Sequence, residues 1–290
     1  MQRGYADRLV TKAPNWHGLV AMDTLFNNMS TGLFLVASLG ELAAPNGFAA
    51  VARAAYPIAL ALLLADLVCL VLDLGDPLRF HHMLRIFKPT SPMSLGTWCL
   101  TVYAVPLTVL ALLSVLPGGA TALEWARRPA IILGLLPALG TAVYKGVLFS
   151  TTAQSGWKDA RWLGGYLASS AVLLGTAQLL FLAIVTAQRG AAGALHRALV
   201  PLLLLNAVTL GLVIWDVRAT LPRAYNRATL GWLGLLAVGG GVIAPLCLLA
   251  IGGPRPTAVA VPLILLGALL VRSEVVRLPH LLAKVLGHGS

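Results

Sequence analysis

The sequence predicts an all-α integral membrane protein, a bundle of eight transmembrane helices with both termini on the same side. Three observations carry this. Of 290 residues, 58% are hydrophobic and only 11% charged, where a soluble domain carries roughly 25% charged residues. The mean hydropathy is +0.85. Apolar runs long enough to cross a bilayer, about 20 residues each, recur along the whole chain. The net charge of +11 does not read as a nucleic-acid footprint. Its basic residues are spread through short connections, the pattern of loops flanking membrane spans, and no soluble domain remains to bind nucleic acid.

Residues 1–15 (MQRGYADRLVTKAPN) are polar and lead into a long apolar run without a cleavage site, so the first span is expected to stay in the mature protein. The spans then read at about 17–39, 53–74, 97–117, 129–151, 163–187, 196–216, 228–251 and 256–273, each near the length a bilayer requires. The eighth is the shortest, because Arg272 interrupts its apolar run. Pro57, Pro106, Pro137, Pro201, Pro245 and Pro262 fall within or near the starts of spans, where packed neighbours satisfy the carbonyls that proline frees. With short connections throughout and no clear internal repeat, residues 1–290 read as a single polytopic domain.

An even number of spans puts both termini on one face, side A, with the loops after spans two, four and six. Fourteen of the 21 Lys and Arg residues fall on that side, six fall on side B, and Lys145 lies inside a span. The positive-inside bias then predicts that side A is cytoplasmic. Six of the seven tryptophans (Trp16, Trp98, Trp157, Trp162, Trp215 and Trp232) also lie near side A. An ordinary aromatic belt is more even, so side A reads as a working face.

The three cysteines, Cys69, Cys99 and Cys247, lie far apart in apolar runs with no CxxC pair, so neither a zinc site nor an iron–sulfur cluster is expected in this chain. The six histidines (His17, His81, His82, His196, His280 and His288) all fall at boundaries or in loops, whereas a bis-histidine haem needs two facing each other inside spans. No haem is expected.

Ionisable residues inside a membrane are costly and default to functional candidates. Asp23 in span one, Asp66 in span two and Lys145 in span four each lie roughly 9–12 Å below side A at the rise of a helix. With Tyr144, they place two carboxylates, an ammonium and a phenol at one depth. Asn27 and Asn28 lie one turn deeper than Asp23, and His17 sits above it at the mouth of span one. Two readings of this group stand: a structural Asp–Lys–Asp cluster that locks three helices together, and a polar pocket that opens to an amphipathic ligand and moves protons.

On the same side lies a segment unlike the rest of the chain. LDLGDPLRF (residues 72–80) ends span two, and KPTSPMSLGTW (residues 88–98) leads into span three. This resembles the polysulfide reductase/NrfD family of membrane subunits, with its DLGRPxRF turn and PTSPMSWG segment. The matching residues are Asp73, Leu74, Gly75, Pro77, Arg79, Phe80, Pro89, Thr90, Ser91, Pro92, Met93, Ser94 and Gly96. YKGVLFS, Tyr144 to Ser150, resembles the family's YxGxLLS pattern in span four. Asp76 stands where the family has a basic residue, Leu95 where it has an aromatic one, and Lys145 where it has a small or polar one.

The resemblance implies a membrane anchor, in the bacterial or archaeal cell membrane, for a ferredoxin-like iron–sulfur subunit and a molybdopterin-type catalytic subunit. It further implies exchange of electrons and protons with a quinone (menaquinone or ubiquinone) bound near the docking face. Carried onto this sequence, the resemblance places the quinone head group by Tyr144, with His17 and Asn27 as the polar residues at the start of span one; the chemistry of the pocket itself adds Lys145, whose charge stabilises a quinol anion, and Asp66 and Asp23, which carry protons or hold Lys145 in place. Asp73, Gly75, Asp76, Arg79, Arg85 and Lys88 position the partner, although a helix-ending turn explains Asp73 and Gly75 equally well. Two other readings remain open: a proton-coupled secondary transporter, against which stands the absence of inverted repeats, and a purely structural anchor without quinone chemistry.

Overall fold

The computed structural model describes residue 16 and residues 18–74, 76–116 and 124–285. Among these there are eight helices long and apolar enough to span a membrane and no strand. Backbone polar groups have no water to bond in hydrocarbon, and helices satisfy them within the segment.

The spans are α1 (Gly18–Ala43), α2 (Pro45–Leu72), α3 (Pro92–Val115), α4 (Arg127–Ser150), α5 (Leu163–Val185) and α6 (Arg189–Val217). After a short α7 (Leu221–Ala224), the seventh span runs as α8 (Arg227–Gly234), a π-helical stretch over Leu235–Ile243 and α9 (Ala244–Ile251); α10 (Pro254–Val285) is the eighth. Helix starts follow local chemistry. Pro45 and Pro92 open α2 and α3 at positions that have no intrahelical N–H partner to lose. Ser91 caps α3 by accepting from the Ser94 amide at 3.4 Å, and the Asn226 side chain caps α8 by accepting from the Thr229 amide at 2.7 Å. Gly252 and Gly253 turn the chain from α9 into α10 at φ of 73° and 84°, the left-handed region glycine tolerates.

The last span departs from expectation. In place of a short run ended by Arg272, α10 continues 13 residues further, to Val285, and Arg272 is 2% exposed within it. Its guanidinium reaches the Asn28 Oδ1 (2.7 Å), the Ser170 Oγ (3.0 Å) and the Ala268 carbonyl (3.0 Å), so the charge is solvated by the bundle and does not end the helix.

The most enclosed span is α1, with 72% of its apolar window buried against 22% for the seventh span. It packs against α2, α4, α5 and α10. The approach to α5 is close because of glycine: a Cβ on Gly32 would lie 1.8 Å from the Ala171 carbonyl oxygen, and one on Gly175 2.0 Å from the Gly32 carbonyl carbon. Small residues of this kind let helix backbones touch where lipid provides no hydrophobic drive for association. The helix that carries Asp23 and Asn27 is thereby held at the bundle axis.

Candidate functional site

Asp23, Asp66 and Lys145 come together. The Lys145 Nζ donates to the Asp23 Oδ1 at 2.7 Å and to the Asp66 Oδ1 at 2.8 Å, and the three residues are 4%, 0% and 4% exposed. Asn27 supports them from α1, its Nδ2 donating to the Asp66 Oδ2 at 3.1 Å. The group ties α1, α2 and α4 through two carboxyl groups that share one ammonium. One acceptor is left over: the Asn27 Oδ1 is buried without a hydrogen-bond partner.

A cavity of about 410 Å³ lies against one face of this cluster. Asp23, Lys145 and Tyr144 form its polar wall, and Val20, Leu70, Leu148 and Phe149 its apolar one. Met83, Met93 and Trp16 line it as well, bringing the loop between α2 and α3 to the same space. The lining thus comes from the start of α1, the end of α2, the start of α3 and the end of α4, one end of the bundle. Asp66 and Asn27 lie behind the wall and do not line the cavity.

Tyr144 is placed by a glycine. A Cβ on Gly96 would lie 1.9 Å from the Tyr144 Cδ2, so only glycine lets α3 pass the ring. The Lys145 ammonium lies 5.6 Å from the centroid of that ring, within cation–π range. The two sequence segments that stand out, PTSPMSLG and YKGVLFS, therefore meet physically through Gly96 and Tyr144.

The loop itself is organised and exposed. Asp73 continues the end of α2, its amide donating to the Cys69 carbonyl at 3.0 Å, and it also lines the cavity. Asp76 and Arg79 form an exposed ion pair at 3.0 Å that heads a 3-10 helix over Pro77–Leu84. The Ser94 Oγ accepts from the Lys88 amide at 2.9 Å and donates to the Ile86 carbonyl at 3.3 Å, pinning the loop's return to the start of α3. Arg85 and Lys88 are exposed, beside the exposed apolar side chains Leu78, Ile86 and Phe87. His17 and Gly75 lie outside the described residues.

Three further groups fall outside the predicted site residues. Arg272, with Asn28 and Ser170, forms a second buried polar knot next to the first, and Asn28 also donates to the Ala142 carbonyl at 3.0 Å. Trp16 stacks on Trp157 with ring centroids 5.5 Å apart and accepts at its carbonyl from His280 of α10 at 2.7 Å. At the far end of α1, Glu41 accepts from Arg127 and from the Tyr56 hydroxyl, both also buried. Each becomes visible only when helices distant in sequence are brought side by side.

A comparison with curated proteins found no match. A comparison with family models matched residues 10–278 of the 290 to the family described as polysulphide reductase, NrfD, a match that includes both the Gly96 loop and the Tyr144 segment, and the chain belongs to that family.

Proposed function

We propose that this chain is the membrane-anchor, quinone-reactive subunit of a multi-subunit oxidoreductase, passing electrons between a membrane quinone and a docked iron–sulfur subunit. The observation that carries it is the cavity in which the two family segments meet beside buried charge. Its volume, about 410 Å³, lies in the range of small-molecule sites, and its lining has the usual character of such sites: apolar walls with a few convergent polar groups. A quinone fits that description, with an apolar ring and tail and two carbonyl oxygens that need donors.

A bound quinone supplies two-electron, two-proton chemistry. This chain's residues supply the rest. Tyr144 offers a hydroxyl as hydrogen-bond donor, and Lys145 places a positive charge beside it. Asp23, which lines the cavity and bonds Lys145, takes or gives the proton nearest the ligand. Asp66, fully buried behind it and held by Asn27, sets the charge balance of the pair. In this reading Asn27 supports Asp66 and does not touch the ligand. Asp73 lies at the junction of cavity and loop, and the exposed Arg79, Arg85 and Lys88 offer the docking surface for the partner. Electrons pass between the quinone and the partner's nearest cluster, and no prosthetic group is required in the helices. A molybdopterin-type catalytic subunit completes the complex. Side A is the cytoplasmic face, with both termini on it, a reading supported by the basic-residue bias and by the contact of Trp16 with His280.

The test is Tyr144→Phe, which removes one donor and keeps the ring that packs on Gly96. Losing a buried hydrogen bond costs about 1–3 kcal/mol, so quinone-linked turnover falls roughly ten- to a hundred-fold. Turnover with a soluble artificial electron donor to the partner subunits stays at the wild-type value. Unchanged quinone turnover places the quinone elsewhere.

A further inference from the structure

The most enclosed span, α1, is also the least apolar of the eight. Along it lie Asp23, Asn27, Ser30, Phe34, Ser38 and Glu41, at steps of three or four residues that bring them to one face of the helix. That face is turned inward: the first five are buried, and the Glu41 side chain is 11% exposed. The stripe begins at the cavity, which Asp23 lines, and ends at the opposite end of the bundle. It is polar at every turn except Phe34.

The hydrogen bonds on the two sides of Phe34 do not join. On the cavity side Asn27 donates to Asp66 at 3.1 Å. Deeper in, the Ser30 Oγ donates to the Ala59 carbonyl at 2.7 Å and lies 2.9 Å from the Tyr103 hydroxyl. On the far side the Tyr56 hydroxyl lies 3.3 Å from the Ser38 Oγ and donates to Glu41 at 2.9 Å, and Glu41 accepts from the Arg127 Nη2 at 3.0 Å. Among the described residues no side chain takes part on both sides. The hydroxyls of Tyr103 and Tyr56 are engaged toward opposite ends of the bundle, which leaves their rings at the break.

Phe34 fills that break tightly. It is fully buried, and its ring meets the Tyr103 ring edge-on, with centroids 5.2 Å apart, and the Tyr56 ring at 6.0 Å. A Cβ on Gly134 would lie 2.4 Å from the Phe34 Cζ and 3.2 Å from the Pro106 Cγ, so α4 closes on the ring because position 134 carries no side chain. The α1–α4 pair keeps one antiparallel register along its length: Lys145 meets Asp23, Gly134 meets Phe34 and Arg127 meets Glu41. Charge stands at both ends of this pair and an apolar seal between them. Water is expelled from an apolar constriction of this kind, and a proton moves only where water or titratable groups carry it.

We propose that Phe34 is the proton barrier of this chain: the stripe along α1 is a proton route complete but for that residue, and protons exchanged at the cavity enter and leave by the cavity's own end of the bundle. The identity of the cavity's ligand plays no part in this, so it stands or falls apart from the quinone reading. The experiment uses the purified full chain in phosphatidylcholine liposomes that hold a pH-sensitive dye, with a potassium gradient and valinomycin to draw protons inward. Wild type admits protons no faster than empty liposomes. Phe34→Gln replaces the ring with an amide and admits them about tenfold faster or more, because the constriction wets, while the dye stays inside. Phe34→Leu keeps the seal apolar and stays at the wild-type rate. Phe34→Ser opens a polar void that water can enter, leaks as Phe34→Gln does, and decides the matter where Phe34→Gln does not fold. Proton entry through wild type above that of empty liposomes overturns the proposal. So does a folded polar variant as tight as wild type, the result expected if the polar groups of α1 only hold helices together, or an equal leak through Phe34→Leu.

Discussion

Lys145 holds two carboxylates apart from each other's charge, and the consequence of removing it can be reasoned through. Lys145→Met leaves Asp23 and Asp66 facing each other in a buried site without their cation. Breaking a buried ion pair on one side costs about 3–5 kcal/mol, a large share of the roughly 5–15 kcal/mol that holds a domain together. The single variant should accumulate poorly and melt at lower temperature in detergent. The triple variant Asp23→Asn, Asp66→Asn, Lys145→Met removes all three charges together, and apolar or neutral replacements of whole buried clusters are often neutral to stability. Melting should then return to near wild type while quinone turnover stays low. Recovery of turnover along with stability would mean that the cluster only locks helices. Gly96→Val tests the neighbouring contact: the added side chain runs into the Tyr144 ring, so turnover should fall while the Lys145 ion pairs remain. Much of this site was legible residue by residue. An intramembrane charge is expensive wherever it sits, so Asp23, Asp66 and Lys145 stand out in sequence, and a common depth below one face follows from counting. Arg272 is the counterexample for the same reason. Its charge marks the end of a span in sequence, because nothing in α10 itself shows that Asn28 and Ser170, 244 and 102 residues away in sequence, solvate it.

At the scale of elements, the apolar runs mark the helices well and their ends poorly. The apolar runs start later than the helices do: α2 begins at Pro45 and α6 at Arg189, several residues before them, because a helix continues past hydrocarbon until its caps or a proline stop it. The π-helical stretch over Leu235–Ile243 leaves no mark in hydropathy, since a wider turn of the same apolar residues has the same composition. Packing is similarly hidden. The nearest approach of α1 to α5 rests on Gly32 and Gly175, two of 29 glycines, and only their meeting singles them out. Gly175→Leu places a branched side chain into the α1 backbone. Overpacking of this kind costs at least 1–3 kcal/mol, and here the obstacle is backbone, which cannot swing aside. The expected outcome is loss of folded protein in detergent-resistant, size-exclusion-homogeneous form, whereas Gly211→Leu, on a position with open space around it, should behave as wild type. Equal behaviour of the two would mean that α1 and α5 are not in backbone contact.

For the whole molecule the questions are which face meets the partner and which way the bundle points. The proposed docking surface gathers exposed cations, Arg79, Arg85 and Lys88, around exposed Leu78, Ile86 and Phe87, charge for orientation with apolar surface at the centre. Reversing the three cations to Glu places like charge against whatever acids they meet, at several kcal/mol, so the iron–sulfur subunit should leave the membrane fraction while this chain stays inserted. The proposed orientation rests on the loops. Fourteen basic residues on one side against six on the other would bias that side toward the cytoplasm, and, if all eight helices cross, the chain ends on the face where it began. Two of those cations are weaker votes than the count implies: Arg272 on the majority side and Arg127 on the minority side are both buried in the bundle, one from each, so their removal leaves the bias standing. Reporter fusions at residue 120 and at the C-terminus should therefore report opposite faces, with the C-terminal one cytoplasmic. The same face for both would mean that one of the eight helices, the seventh with its π-helical middle first among them, does not cross.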